Sequence, residues 1–124
     1  MSGALTIDAS VFVNAFSPTE TGSEQSWRFL SQLLDAGAPV VVPALMLVEV
    51  VASLARKQNN TALALEWMER IQQLDDLTFV SLDDDLAQEA AEIAAAHRLR
   101  GSDAVYAAVA RRSADCWIAS GSHA

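Results

Sequence analysis

The chain has a single cysteine, Cys116, so no internal disulfide can hold it together, and the expected compartment is the cytoplasm. Five glycines and three prolines in 124 residues exclude collagen-like and low-complexity classes. Long apolar runs are missing as well. The longest nearly uncharged stretch, 36–48, is thirteen residues and is interrupted by Pro39 and Pro43, whereas a bilayer-spanning helix needs about twenty. No membrane association is expected. The opening MSGALTIDAS has no basic segment and meets a carboxylate at Asp8, so it does not read as a secretory signal. Positive charge is scarce: eight Lys and Arg face sixteen Asp and Glu, for a formal charge of −8. That excludes a protein whose main task is to wrap duplex nucleic acid, which needs a broad basic face. It does not exclude phosphodiester chemistry, because a bound divalent cation reverses the local potential. His97, Cys116 and His123 lack the paired spacing of a zinc site.

What the chain does have is apolar residues, at 52%, in short clusters of two kinds. Residues 4–7, 39–43, 77–82 and 116–119 are brief apolar or β-branched runs and read as buried strands. Between them lie helical patterns. Residues 10–16 form a short helix stopped by Ser17-Pro18-Thr19, and Ser23 is expected to cap a second one that carries Trp27, Leu30, Leu33 and Leu34 inward and ends at Gly37. Residues 44–57 make a third, and Asn59-Asn60-Thr61 turns into a fourth with Leu63, Trp67, Met68, Ile71 and Leu74 at helical spacing. A fifth begins within 81–85 and carries Leu86, Ala90, Ile93 and His97 on one face, which makes His97 a core or half-buried residue. Gly101 is expected to break it before an alanine-rich helix that runs to Arg112. Strands alternating with helices specify one α/β domain with a parallel sheet covered on both faces.

Three acids are poorly explained by folding alone. Asp8 follows the first strand directly, at the carboxyl edge where open parallel sheets carry their sites, although it also suits a helix cap. Glu49 interrupts ALMLVEVVASLA, with Leu45, Met46, Ala52 and Ser53 three or four residues away. A carboxylate there is protonated, paired or bound to a cation, or else it points outward toward Arg56. Asp103 opens a helix, where the dipole favours an acid in any case. If the three converge, their oxygens suit a hard cation such as Mg²⁺ or Mn²⁺.

Three blocks then add a resemblance. TIDASVFV at 6–13, VVVPALMLVEVVASLAR at 40–56 and HRLRGSDAVYAAVARR at 97–112 resemble the signature blocks of PIN-domain ribonucleases, above all the VapC-type toxins of toxin–antitoxin systems. The similarity runs in order over nearly the whole chain. It implies a three-layer α/β/α sandwich with a short parallel sheet, a single domain over 1–124, and a Mg²⁺- or Mn²⁺-dependent endoribonuclease that cleaves single-stranded RNA to leave a 3′-hydroxyl and a 5′-phosphate. On that pattern Asp8, Glu49 and Asp103 are the metal-binding and catalytic acids, with Glu49 a ligand or the orienter of the attacking water. Ser10 matches the small hydroxyl residue that supports Asp8. The resemblance further implies a homodimer and a cognate antitoxin, for whose basic segment an acidic surface is suited.

The sequence departs from the pattern at its end. The family carries a fourth acid where this chain has Gly121, eighteen residues after Asp103, and Asp115 precedes the strand rather than following it. The family also continues past the point where this sequence ends in GSHA, so the expectation is either a shortened member or a terminal GSHA that is not native sequence. These departures support the alternative reading of a PIN-like binding or assembly module with impaired catalysis. A phosphotransferase with Asp8 as nucleophile is disfavoured, because Ser10 rather than an acid stands two residues on. Arg56 and Arg100 are expected in local ion pairs, and Asp83-Asp84-Asp85 as helix-capping charge.

Overall fold

The computed structural model describes residues 4–112 and 117–119. The elements follow in the order β1 (Leu5–Ile7), α1 (Ala9–Ala15), α2 (Ser23–Asp35), β2 (Val40–Pro43), α3 (Leu45–Gln58), α4 (Thr61–Gln72), β3 (Leu77–Val80), α5 (Asp84–His97), α6 (Gly101–Arg112) and β4 (Trp117–Ala119). The strands form one parallel sheet in the order β3-β2-β1-β4, with Leu5 opposite both Val40 and Trp117, and Val40 opposite Leu77.

The two-residue alternation of a strand divides the sheet between two cores. Val40 and Val42 turn to one face and pack with residues of α1 to α4, among them Phe12, Met46, Val50, Leu54 and Ile71. Val41 and Val80 turn to the other and meet Leu86, Ala90 and Ile93 of α5 and Ala104, Val105, Ala108 and Val109 of α6. Helices therefore cover both faces, which is the expected three-layer α/β/α sandwich with a short parallel sheet. Tyr106 is the exception on its helix. Among the described residues it is the only part of α6 that belongs to the first core.

Several helix ends follow directly from their side chains. The Asn60 side chain accepts from the Leu63 N–H at 3.0 Å, and Asp83 from the Leu86 N–H at 2.8 Å, each closing an orphan donor of a first turn. Gly37 has a φ of +69° just past α2, where a left-handed residue ends the helix.

Four local expectations need correction. Trp27, expected to turn inward, is half exposed on α2. Ser23 is the first residue of α2 rather than its cap: Gly22 occupies the cap in a left-handed conformation, and the Ser23 hydroxyl donates back to the Ala15 carbonyl at 3.5 Å. Gly101 does not break α5. That helix ends at His97 because Arg98 turns left-handed, and Gly101 opens α6. His97 is exposed rather than half-buried, since the last turn of α5 runs beyond the core that holds Leu86, Ala90 and Ile93. Among the described residues no helix is long and apolar enough to cross a membrane.

Candidate active site

Asp8 leaves β1 in an extended conformation and caps α1, its Oδ2 accepting the Ser10 N–H at 3.0 Å. The cap and the site are thus compatible roles of one residue. One carboxylate oxygen closes a helix of only seven residues, and the group still borders the cavity described below. Ser10 supports Asp8 through its backbone.

Glu49 sits in the second turn of α3, beside the stripe of Met46, Val50 and Leu54 that the helix buries. It is half-buried, and its Oε1 accepts the Tyr106 hydroxyl at 2.8 Å. Among the described residues it makes no ion pair with Arg56. Asp103 lies in the first turn of α6, and its Oδ2 accepts from Arg100 Nε at 3.1 Å. The local pair expected for Arg100 is therefore present, on the surface.

Asp8, Ser10, Glu49 and Asp103 all line one open cavity of about 830 Å³, together with Asn14, Ser53, Arg56, Lys57 and Arg100. The four predicted residues come from three separate stretches of sequence and share one wall-to-wall space. Among the described residues, however, no three acids, histidines or cysteines stand close enough together to form a ready-made metal cage. The acids ring the cavity rather than meeting at a point. Lys57 is engaged by Glu20 at the rim, whereas Arg56 has no ionic partner among the described residues.

The acids nevertheless act on one another. Burial, the largest cause, pushes the Glu49 carboxyl above its ordinary value; the Tyr106 hydrogen bond works against this, the charges of Asp8 and Asp103 add to the rise, and Arg100 draws it down. Burial also pushes the Tyr106 phenol far up, aided by its bond to Glu49. At any physiological pH it therefore remains a protonated donor.

Tyr106 is the residue at this cavity that sequence reasoning missed. Its hydroxyl accepts the Ala9 N–H at 3.2 Å while donating to Glu49. One signal was available: the only tyrosine of the chain lies three residues after Asp103, hence on the same helical face. Gly121, Asp115, Cys116, His123 and the terminal GSHA lie outside the described residues.

The family model for the PIN domain matches residues 5–121. No curated protein sequence matches significantly. Among solved structures, the chain is similar to the Mycobacterium tuberculosis toxin VapC20, described as cleaving the sarcin–ricin loop, with a TM-score of 0.73, 19% identity, and 88% of this chain and 82% of that one covered. A Klebsiella pneumoniae toxin–antitoxin complex gives a TM-score of 0.58 at 19% identity over 89% and 79% of the two chains. Rickettsia felis VapBC2, bound to a DNA fragment from its promoter, gives 0.65 at 10% identity over 94% and 98%. Likeness at these identities is a likeness of fold.

Proposed function

The chain belongs to the PIN-domain family, and on that premise we propose that it is a metal-dependent endoribonuclease that cleaves single-stranded RNA, the toxin of a type II toxin–antitoxin pair. The observation that carries this reading is the gathering of Asp8, Glu49 and Asp103 around one open cavity. Every anionic donor offered there is a carboxylate oxygen, the chemistry that Mg²⁺ and Mn²⁺ prefer. Mg²⁺ binds through one or two carboxylates and keeps several waters, so acids that ring a cavity suit it without forming a closed cage. The negative charges of Asp8 and Asp103 that act on Glu49 are a second support, because a potential that favours a proton there also favours a cation.

A divalent ion bound there supplies charge neutralisation at the scissile phosphate and a more acidic water. Asp8 and Asp103 hold that ion, directly or through water, and the Ser10 N–H fixes Asp8 for the task. Glu49 is a third ligand or orients the attacking water by accepting its hydrogen bond. Arg56, on the cavity wall, is available to an RNA phosphate. The toxin–antitoxin structures of similar fold support an antitoxin partner, and a net charge of −8 suits a basic inhibitory segment. The same family reading makes the protein a cytoplasmic homodimer.

The second reading is a PIN-like binding or assembly module that no longer cleaves, and the absence of a three-acid cage among the described residues favours it. Incubation with single-stranded RNA in Mn²⁺, with and without chelator, decides between them. The nuclease reading predicts cleavage that chelator and Asp8→Asn both abolish, with the Asn still able to cap α1. Cleavage undiminished in Asp8→Asn, or none in the wild type, contradicts it.

A further inference from the structure

We propose that Tyr106 is a positioning residue, whose hydroxyl oxygen holds the three acid-bearing elements in the register that divalent-metal binding needs. The inference rests on the nuclease reading and extends it to a residue outside the acid set. The hydrogen-bond directions are fixed by chemistry. An N–H only donates, so the bond from Ala9 at 3.2 Å uses a lone pair of the phenol, and the single phenolic proton goes to Glu49 Oε1 at 2.8 Å. One atom therefore ties together the backbone immediately after Asp8, the carboxylate of Glu49 on α3, and α6 itself, which carries Asp103 one turn earlier.

The placement of the ring makes this an unusual use of a core position. The neighbours of Tyr106 on α6, namely Ala104, Val105, Ala108 and Val109, pack into the second core, whereas Tyr106 alone reaches the first. It is 3% exposed, so its bond from the Ala9 N–H is shielded from competing water, while its bond to Glu49 lies at the half-buried wall of the cavity. A phenylalanine fills almost the same volume but lacks the oxygen, leaving the Ala9 N–H without its partner and one Glu49 oxygen unheld. Groups that orient metal ligands in this way, without touching the metal, change its affinity by about 10- to 100-fold when removed.

The test compares Tyr106→Phe with Val109→Ala, a truncation on the same helix at a position that is 1% exposed, packs in the second core and does not line the cavity. Mn²⁺ binding is followed by calorimetry, and Mn²⁺ dependence by cleavage of single-stranded RNA. Tyr106→Phe is expected to raise the Mn²⁺ concentration for half-saturation about 10- to 100-fold in both assays, with the KM for RNA at saturating Mn²⁺ unchanged. Val109→Ala is expected to lower the thermal midpoint and leave Mn²⁺ half-saturation where it was. Should Tyr106→Phe bind Mn²⁺ like the wild type, or should Val109→Ala weaken Mn²⁺ binding equally, the positioning role is overturned while the nuclease reading stands. A wild type that binds no Mn²⁺ overturns both.

Discussion

Two groups of acids in this protein look alike in composition and differ in almost everything else. Asp83, Asp84 and Asp85 are consecutive and exposed at the start of α5, where Asp83 caps the helix and its neighbours lie in the positive field of the first turn. Asp8, Glu49 and Asp103 are far apart in the chain, belong to three elements, and face one cavity. Each in this second group is held by a donor of its own: the Ser10 N–H, the Tyr106 hydroxyl and Arg100. The consecutive run answers a local need of one helix. The dispersed set answers no local need at Glu49, whose carboxyl burial and two like charges disfavour as an anion. A group kept where folding alone would not put it supports the proposed site.

The contrast can be broken by exchanging the two groups' roles. Asp103→Asn is expected to lower Mn²⁺-dependent cleavage by more than about 100-fold, beyond the loss typical of an outer-shell partner. The triple change of Asp83, Asp84 and Asp85 to Asn should leave the rate unaltered. Initial rates on a short single-stranded RNA check both, and equal losses from the two would erase the distinction.

Stability should respond in the opposite sense. Asp83→Ala removes the cap on the Leu86 N–H and should cost about 1 kcal/mol in urea denaturation, with the cleavage rate intact. An unchanged urea midpoint would show the cap to be idle.

Glu49→Gln sharpens the comparison further. The Glu49 carboxyl has its proton affinity raised above the ordinary 4.5, so between that value and the raised one the folded chain binds more protons than the unfolded chain. Stability therefore falls as pH rises through that window. Relieving the charge should raise the metal-free midpoint at neutral pH, and only slightly, because solvent screens a half-exposed group. The gain should vanish below pH 4.5, where Glu49 is protonated in both states, and a gain that persists there contradicts the assigned cause.

The smallest effect is expected at Arg100→Ala. Its pair with Asp103 is solvent-exposed, with Arg100 84% accessible, so its loss should change stability by no more than about 0.5 kcal/mol in urea.

Much of this organisation was legible in the residues. Two strands showed as short apolar runs at 39–43 and 77–82, slightly longer than the observed Val40–Pro43 and Leu77–Val80, and their alternation places Val41 and Val80 on the face away from Val40 and Val42. Glu49 was visible as a charge inside an apolar helix. Its partner was not. Periodicity assigns a residue to a face of its own helix, but says nothing of which core a long side chain reaches, and Tyr106 crosses from one to the other. The exposure of His97 escaped for a related reason. A helical stripe continues past the end of the core it packs on, and only the tertiary arrangement shows where the core stops. The left-handed Arg98 escaped because arginine carries no local signal for that conformation, whereas Gly101 does.

The most direct measurement is anomalous diffraction from crystals soaked in Mn²⁺. The account predicts a peak in the cavity, about 2.0–2.2 Å from at least one carboxylate oxygen of Asp8, Glu49 or Asp103 and within one bridging water of the others. A peak at Asp83–Asp85 with none in the cavity contradicts it.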